Sequence, residues 1–226
     1  MREDWHAERI GRSEEFWRSE QLDSAAAFQT ARCIEISSIE RRSLKVDVAI
    51  EERIAVILDG ITVLDLFCLP SQLEELAVGH LVCEGLIDGF DDLVSVRTEG
   101  KALICECRGR KFQKDVRPIV SDLKMSSDAI FRAVDLLNER ALLWRRTGGI
   151  HSALVLREDG KVTFFCEDVS RSSALDKAAR AEVPILASRA APLNAGIELA
   201  RRLGMTFAAF AKRPNLYVHS GEERIS

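Results

Sequence analysis

The sequence predicts an α/β protein with a mixed sheet and flanking helices, preceded by a smaller part built from a β-hairpin and a helix. Three observations carry this. Val183 to Ala187, a helix-compatible run from Pro192 to Leu203 closed by Gly204, and Met205 to Phe210 form a β-α-β unit, which requires parallel strands. Asp59-Gly60 and Asp159-Gly160 each sit between apolar runs, the strongest short-range hairpin signal. Ser126-Ser127-Asp128 opens a helical pattern that runs on to Trp144.

Taken in order, residues 1–42 form a polar extension with a helix-compatible run from Glu14 to Cys33. Residues 43–120 form an N-terminal α+β part. There Leu44, Val46, Val48 and Ile50 alternate, and Ile54 to Leu58 and Ile61 to Phe67 flank the first Asp-Gly turn. Pro70 then opens a helix with Leu73, Leu76, Ala77, His80, Leu81 and Glu84 at helical spacing and Gly85 at its end. Leu93 to Val96 and Ala102 to Cys107 pair across Glu99-Gly100. Residues 121–226 form an α/β cofactor-binding part. It has a helix with Ile130, Val134, Leu137 and Leu142 inward, a hairpin of Ser152 to Leu156 with Val162 to Cys166, a helix beginning near Ser173, and the β-α-β unit.

Composition narrows the function. Of 226 residues, 46% are hydrophobic and 30% charged, the balance of a soluble globular protein. No apolar run is long enough to cross a bilayer, and the acid-bearing start Met1 to His6 lacks a signal-peptide h-region, which points to the cytoplasm. Six cysteines without CxxC spacing read as reduced thiols. A net charge of -4 argues against a nucleic-acid binder. The charge is uneven, however: Arg171 to Arg213 holds eight basic residues against three acids, which suits a compact polyanion such as a pyrophosphate.

The chain is organised around Trp144 to Leu156. There a charged helix end meets Thr147-Gly148-Gly149, and an apolar strand follows that begins at His151. The run reads either as a helix C-cap and turn or as a loop that offers backbone N–H groups and an imidazole to a ligand. In β-α-β units ligands lie beyond the carboxyl ends of the strands. Here those ends carry Ser188-Arg189 and Ala211-Lys212-Arg213-Pro214-Asn215, either a solvated basic rim or a phosphate site. Leu103, Cys105 and Cys107 share one strand face and read as core, and His80 with Cys83 is half a metal site without a second half. The pattern offers no catalytic residue and no metal-ligand set.

Several ordered blocks resemble one family, the formate dehydrogenase accessory sulfurtransferases called FdhD or NarQ. They are Asp59-Gly60, Cys68-Leu69-Pro70, Leu76 to Leu81, Glu84 to Ile87, Thr147 to Ala153, Glu167-Asp168-Val169-Ser170-Arg171, Ala174 to Lys177, Pro184 to Pro192 and Phe210 to Tyr217. The resemblance implies a cytidine-deaminase-like fold, usually dimeric, in the cytoplasm. It also implies passage of sulfur from a cysteine desulfurase to the molybdenum bis(molybdopterin guanine dinucleotide) cofactor, the bound cargo, before insertion into formate dehydrogenase. It places Phe210, Ala211, Lys212, Arg213, Pro214 and Asn215 against the cofactor; together with the expectation that the glycine turn and the two strand ends converge on one edge, the candidate cofactor-binding set also takes in Thr147, Gly148, Gly149, His151, Asp168, Arg171, Ser188 and Arg189.

Three departures stand out. The family's Cys-Gly-x-Cys-Gly loop falls where this chain reads Pro118 to Met125, without a thiol, so a persulfide relay lacks its carrier. Gly-Arg-His-Asn becomes Ser170-Arg171-Ser172-Ser173, leaving His151 as the imidazole of this region. A segment holding a strand and a Ser-Gly-Arg turn is absent at the Lys177-Ala178 junction, which removes a strand from the sheet and exposes apolar edges. The leading expectation is therefore a cofactor-binding accessory protein with sulfur transfer in doubt. The alternatives are an adaptor that docks on a desulfurase or dehydrogenase, and a decayed copy. A zinc deaminase is excluded by the absence of His-x-Glu and Pro-Cys-x-x-Cys.

Overall fold

The computed structural model describes residues 27–87, 89–108, 118–178 and 183–226. Its first element corrects an expectation. Strand β1 (Phe28–Ile36) pairs antiparallel with β2 (Arg41–Ala49) from Phe28↔Ala49 to Ile36↔Arg41, so the part of the helix-compatible run from Phe28 to Cys33 is strand. Thr30, Ile34 and Ile36 are β-branched, and pairing with the alternating Leu44, Val46 and Val48 overrides local helix propensity. The rest of that run, 14–26, lies outside the described residues.

Strands β3 (Glu52–Leu58) and β4 (Ile61–Cys68) form the expected hairpin, with Asp59 at φ 47 and Gly60 at φ 80. Two consecutive positive φ values are what a two-residue hairpin turn of this hand requires. Helix α1 (Leu73–Cys83) starts later than Pro70, because the Ser71 N–H bonds back to the Leu69 carbonyl at 2.7 Å and keeps 70–71 out of the helix. Strands β5 (Leu93–Glu99) and β6 (Ala102–Cys107) complete a four-stranded sheet of order β4-β3-β6-β5 in which β3 and β6 run parallel. Alternate residues Ile54, Val56 and Leu58, with Leu103 and Cys105, face Leu76, Ala77 and Leu81 of α1, and these side chains form the first core.

In the second half, Ser126 Oγ accepts the Ala129 N–H at 3.2 Å and caps α2 (Ser127–Arg140) as expected. The helix does not continue to Trp144. It breaks at Ala141 (ψ 68), and a new short helix, α3 (Leu142–Thr147), begins. The break rotates the register, so Leu142 is 63% exposed and Leu143 takes the buried place beside Leu69 and Ile150. Strands β7 (His151–Leu156) and β8 (Val162–Asp168) form the second hairpin, followed by α4 (Arg171–Ala178).

The closing unit is β9 (Ile185–Ala187), α5 (Asn194–Leu203), β10 (Thr206–Lys212) and β11 (Asn215–Ser220). Strand β9 lies parallel to β10, from Ile185↔Thr206 to Ala187↔Ala208. The pattern signals no strand beyond Phe210, yet β10 continues to Lys212 and returns as β11. Ile130 and Val134 of α2 pack on one side of this sheet with Ala187, Ala211 and Leu216. On the other side Ile197 and Ala200 of α5 meet Leu186, Phe207 and Ala209.

Among the described residues the helices and strands make a mixed α/β fold in which β7-β8 and β9-β10-β11 are separate sheets. Among the described residues β9 is an edge strand, and Leu193 and Leu199, at the N-cap and on α5, are exposed. The halves meet where α1 crosses α4: a Cβ on Gly79 would lie 1.6 Å from the Asp176 carbonyl oxygen, so only glycine permits this approach.

Candidate functional site

The glycine turn is built from the end of α3. Gly148 takes φ 72, its N–H donates to the Trp144 carbonyl at 2.8 Å, and the Thr147 hydroxyl donates to the Leu143 carbonyl at 2.8 Å. The C-cap reading of this turn is therefore correct. It does not exclude a ligand, since a Cβ on Gly148 or on Gly149 would meet nothing within 4 Å. His151 follows, exposed, opposite Asp168 in the β7-β8 register.

Asp168 itself is wholly buried. Its carboxylate accepts from Lys177 Nζ at 2.7 Å, the Leu69 N–H at 3.3 Å and the Ser170 N–H at 3.0 Å. It shapes the site from beneath by fixing the turn that delivers Arg171, which is exposed at the start of α4. Glu167 beside it is also buried. Its carboxylate accepts the Leu143 and Trp144 N–H groups, both at 3.1 Å, and the Ser152 hydroxyl at 3.3 Å. Burial pushes its carboxyl up from the ordinary carboxylate range, against the pull of those hydrogen bonds and of Arg145.

The second group lies at the carboxyl ends of β9 and β10. The Ser188 N–H donates to the Ala208 carbonyl and the Ala211 N–H to the Ser188 carbonyl, both at 2.9 Å, while the Phe210 N–H donates to the Ala190 carbonyl at 3.3 Å. These bonds stitch the Ser188-Arg189 loop to the segment Phe210 to Asn215. Ala211 is buried, whereas Lys212, Arg213, Pro214 and Asn215 are exposed, with Arg213-Pro214 forming the turn between paired Lys212 and Asn215. Phe210, at φ 51, turns its ring outward against Tyr217, edge to face at 5.7 Å between centroids.

Helix α2 brings the two arginines together. Arg213 reaches Asp128 at 3.0 Å and Asp135 at 3.6 Å and lies over the Phe131 ring, and Arg189 donates to Asn138 Oδ1 at 2.7 Å. Positions 128, 131, 135 and 138 share one helix face, so the Arg213 guanidinium, lying between 128 and 135, and that of Arg189 at 138 are spaced about two helical turns, roughly 10 Å, along it. The sequence gives no warning of this acidic stripe, because its partners are distant in the chain. Exposed pairs of this kind are worth about 0–1 kcal/mol, so an incoming polyanion can displace them. The same α2 also contacts β7 and is followed, after the break at Ala141, by α3 and the glycine turn, so the two groups are joined along the chain by two successive helices.

Three of the thiols, Cys68, Cys83 and Cys105, are held protonated by their surroundings. Residues 118–126 are irregular and contain no cysteine. Burial pushes Cys68 up to about 12 and Cys105 up to about 11. Cys83 has an exposed edge, but the protein packed around its sulfur and the Asp176 carboxylate hold it up to about 12. Cys166 is buried with Sγ 3.2 Å from the Ala174 carbonyl, and the Cys107 Sγ lies 3.2 Å from Asp59 Oδ2. Among the described residues no three His, Cys, Asp or Glu side chains are gathered to hold a metal, and His80 is engaged with Asp176 at 3.2 Å. No described helix is long and apolar enough to cross a membrane.

The chain is thus a mixed α/β protein with a cationic rim, flanked by aromatic rings, at the ends of two parallel strands. Comparison with known proteins gives the family. The family model of the FdhD/NarQ family matches residues 49–117, 101–179 and 177–226, and the chain belongs to that family. The chain is 32% identical over 205 positions to the sulfur carrier protein FdhD of Methanothermobacter thermautotrophicus, covering 69% of this chain and 82% of the relative. It is 25% identical over 245 positions to the protein of the same name from Listeria innocua, covering 82% and 94%. The fold is like that of a Desulfotalea psychrophila protein named as a formate dehydrogenase accessory protein, with TM-score 0.78, 22% identity, and 88% and 100% of the two chains covered. The 205 aligned positions draw on 69% of 226 residues, about 156, so roughly fifty positions have no counterpart here. The three matched stretches overlap at 101–117 and at 177–179.

Proposed function

We propose that this chain binds the guanine dinucleotide portion of a molybdenum bis(molybdopterin guanine dinucleotide) cofactor as cargo and serves formate dehydrogenase as an accessory protein. The observation that carries this is the pairing of Arg189 and Arg213 along one face of α2, beyond the ends of two parallel strands. Two guanidinium groups spaced along one helix face suit separate phosphate groups of a polyanion, which they grip through forked N–H donors. Phe210 and Tyr217, both half exposed, offer rings against which a base can stack. Gly148, Gly149 and His151 supply open backbone and an imidazole on the side reached through α3. Ser188, Lys212, Pro214 and Asn215 complete the rim, with Ala211 as its buried support, while Arg171 stands with the glycine turn above the buried Asp168.

In this reading the chain holds and hands over the cofactor, and sulfur enters from a cysteine desulfurase without a covalent stop on the 118–126 loop, which has no thiol. Titration calorimetry with guanosine diphosphate tests the site. Arg189→Ala/Arg213→Ala is expected to weaken binding by more than about tenfold, since each lost charge-assisted contact costs about 1.5–3 kcal/mol. Equal affinity in both proteins rejects the reading.

One observation favours an adaptor role instead. Ile34, Ile36 and Ile39 are exposed on the β1-β2 arm, and an isolated two-stranded arm gains stability by docking. Co-purification with formate dehydrogenase or a cysteine desulfurase that is lost in Ile34→Ser/Ile36→Ser, without nucleotide binding by the wild type, supports that reading.

A further inference from the structure

We infer that Glu167 is a positioning residue: it caps α3 from across the chain and thereby fixes the Thr147-Gly148-Gly149 turn. Helix α3 has only six residues, far below the length at which a helix persists alone. Its first turn has orphan N–H groups, and the residue at its N-cap, Ala141, has no side-chain acceptor. Glu167 lies 24 residues away on β8. Its Oε2 takes the Leu143 N–H and its Oε1 the Trp144 N–H, a carboxylate at the positive end of the helix. The Ser152 hydroxyl on β7 donates to the same Oε1, so the acceptor cannot swing away.

The same two residues make the link at the other end. The Leu143 carbonyl receives the Thr147 hydroxyl and the Trp144 carbonyl receives the Gly148 N–H. The Gly149 N–H then turns toward Thr147 Oγ1 at 3.4 Å. The peptide units around Leu143 and Trp144 are therefore held from one side by Glu167 and hold the turn from the other. A shift of the cap is passed to the turn through one rigid helical segment. That this turn faces a ligand rests on the function proposed above; that Glu167 places it does not.

The test compares wild type, Glu167→Ala and Glu167→Gln by amide hydrogen exchange and guanosine diphosphate titration. In Glu167→Ala the Leu143, Trp144 and Gly148 amides should exchange more than about tenfold faster, while amides of β3 and β6 keep their protection. Glu167→Gln retains one acceptor oxygen and should fall between, and it carries the test if the alanine variant does not fold. Affinity for the nucleotide should drop in the same order. Unchanged protection at the three amides, or a loss shared equally by β3 and β6, overturns the inference. Deprotection at the turn with unchanged nucleotide affinity overturns its link to the ligand. If the wild type binds no nucleotide, the proposed function fails and the exchange data alone decide the role of Glu167.

Discussion

The Lys177 ammonium lies 2.7 Å from the Asp168 carboxylate, with both side chains fully buried. The same carboxylate receives the Leu69 N–H, and Lys177 reaches the Leu69 carbonyl at 3.5 Å. One ion pair thus ties β8 and α4 to the connection between β4 and α1. Taking two charges out of water offsets much of their attraction, so the pair specifies how the halves meet more than it adds net stability. Removing one partner is a different matter. Lys177→Met leaves a buried carboxylate unpaired and should cost about 3–5 kcal/mol, read from urea unfolding. The double variant Asp168→Leu/Lys177→Met should cost less than that single change.

Gly79 sits where α1 presses on the Asp176 carbonyl. Gly79→Ala inserts a methyl group into a space already filled by backbone, so the helices must separate. A loss of roughly 3 kcal/mol or more is expected. Thermal unfolding checks it, and a change under about 0.5 kcal/mol would mean that the two helices are not in this contact.

The raised Glu167 carboxyl has a definite sign in pH dependence. The folded chain keeps the proton at a pH where the unfolded chain has released it, so the contribution to stability is full below the unfolded pKa and declines as pH rises through the folded one. Glu167→Gln cannot titrate. The melting temperature of wild type minus that of Glu167→Gln should therefore grow as pH falls from neutrality through the carboxylate range. A difference that shrinks over that interval would contradict the buried environment of Glu167.

Cys68 and Cys105 should resist alkylation. With a thiol near 12, about one molecule in ten thousand is thiolate at pH 8. Iodoacetamide followed by peptide mass spectrometry should find both unmodified until the chain is unfolded. Rapid labelling of either in the native protein would reopen the search for a sulfur carrier.

Much of the fold is legible in the sequence because the signals are local. Asp59-Gly60 and Asp159-Gly160 fix hairpins through positive φ, and alternate burial along Ile54, Val56 and Leu58 follows from a strand's two-residue period. The errors also have a common origin. Phe28 to Cys33 resembles a helix until β2 pairs with it, and Leu142 looks inward until the break at Ala141 turns the register.

The sequence by itself determined the parallel closing unit, the glycine turn after α3, the family and the absence of a loop thiol, since each is written in adjacent residues. Only the tertiary structure decided that Arg189 and Arg213 lie along Asn138, Asp135 and Asp128, that Asp168 is buried on Lys177, and that Glu167 caps α3. Those contacts join residues 24 to 85 positions apart or bridge separate elements. Which distant groups meet is set by how helices and sheets pack, and no local propensity encodes it.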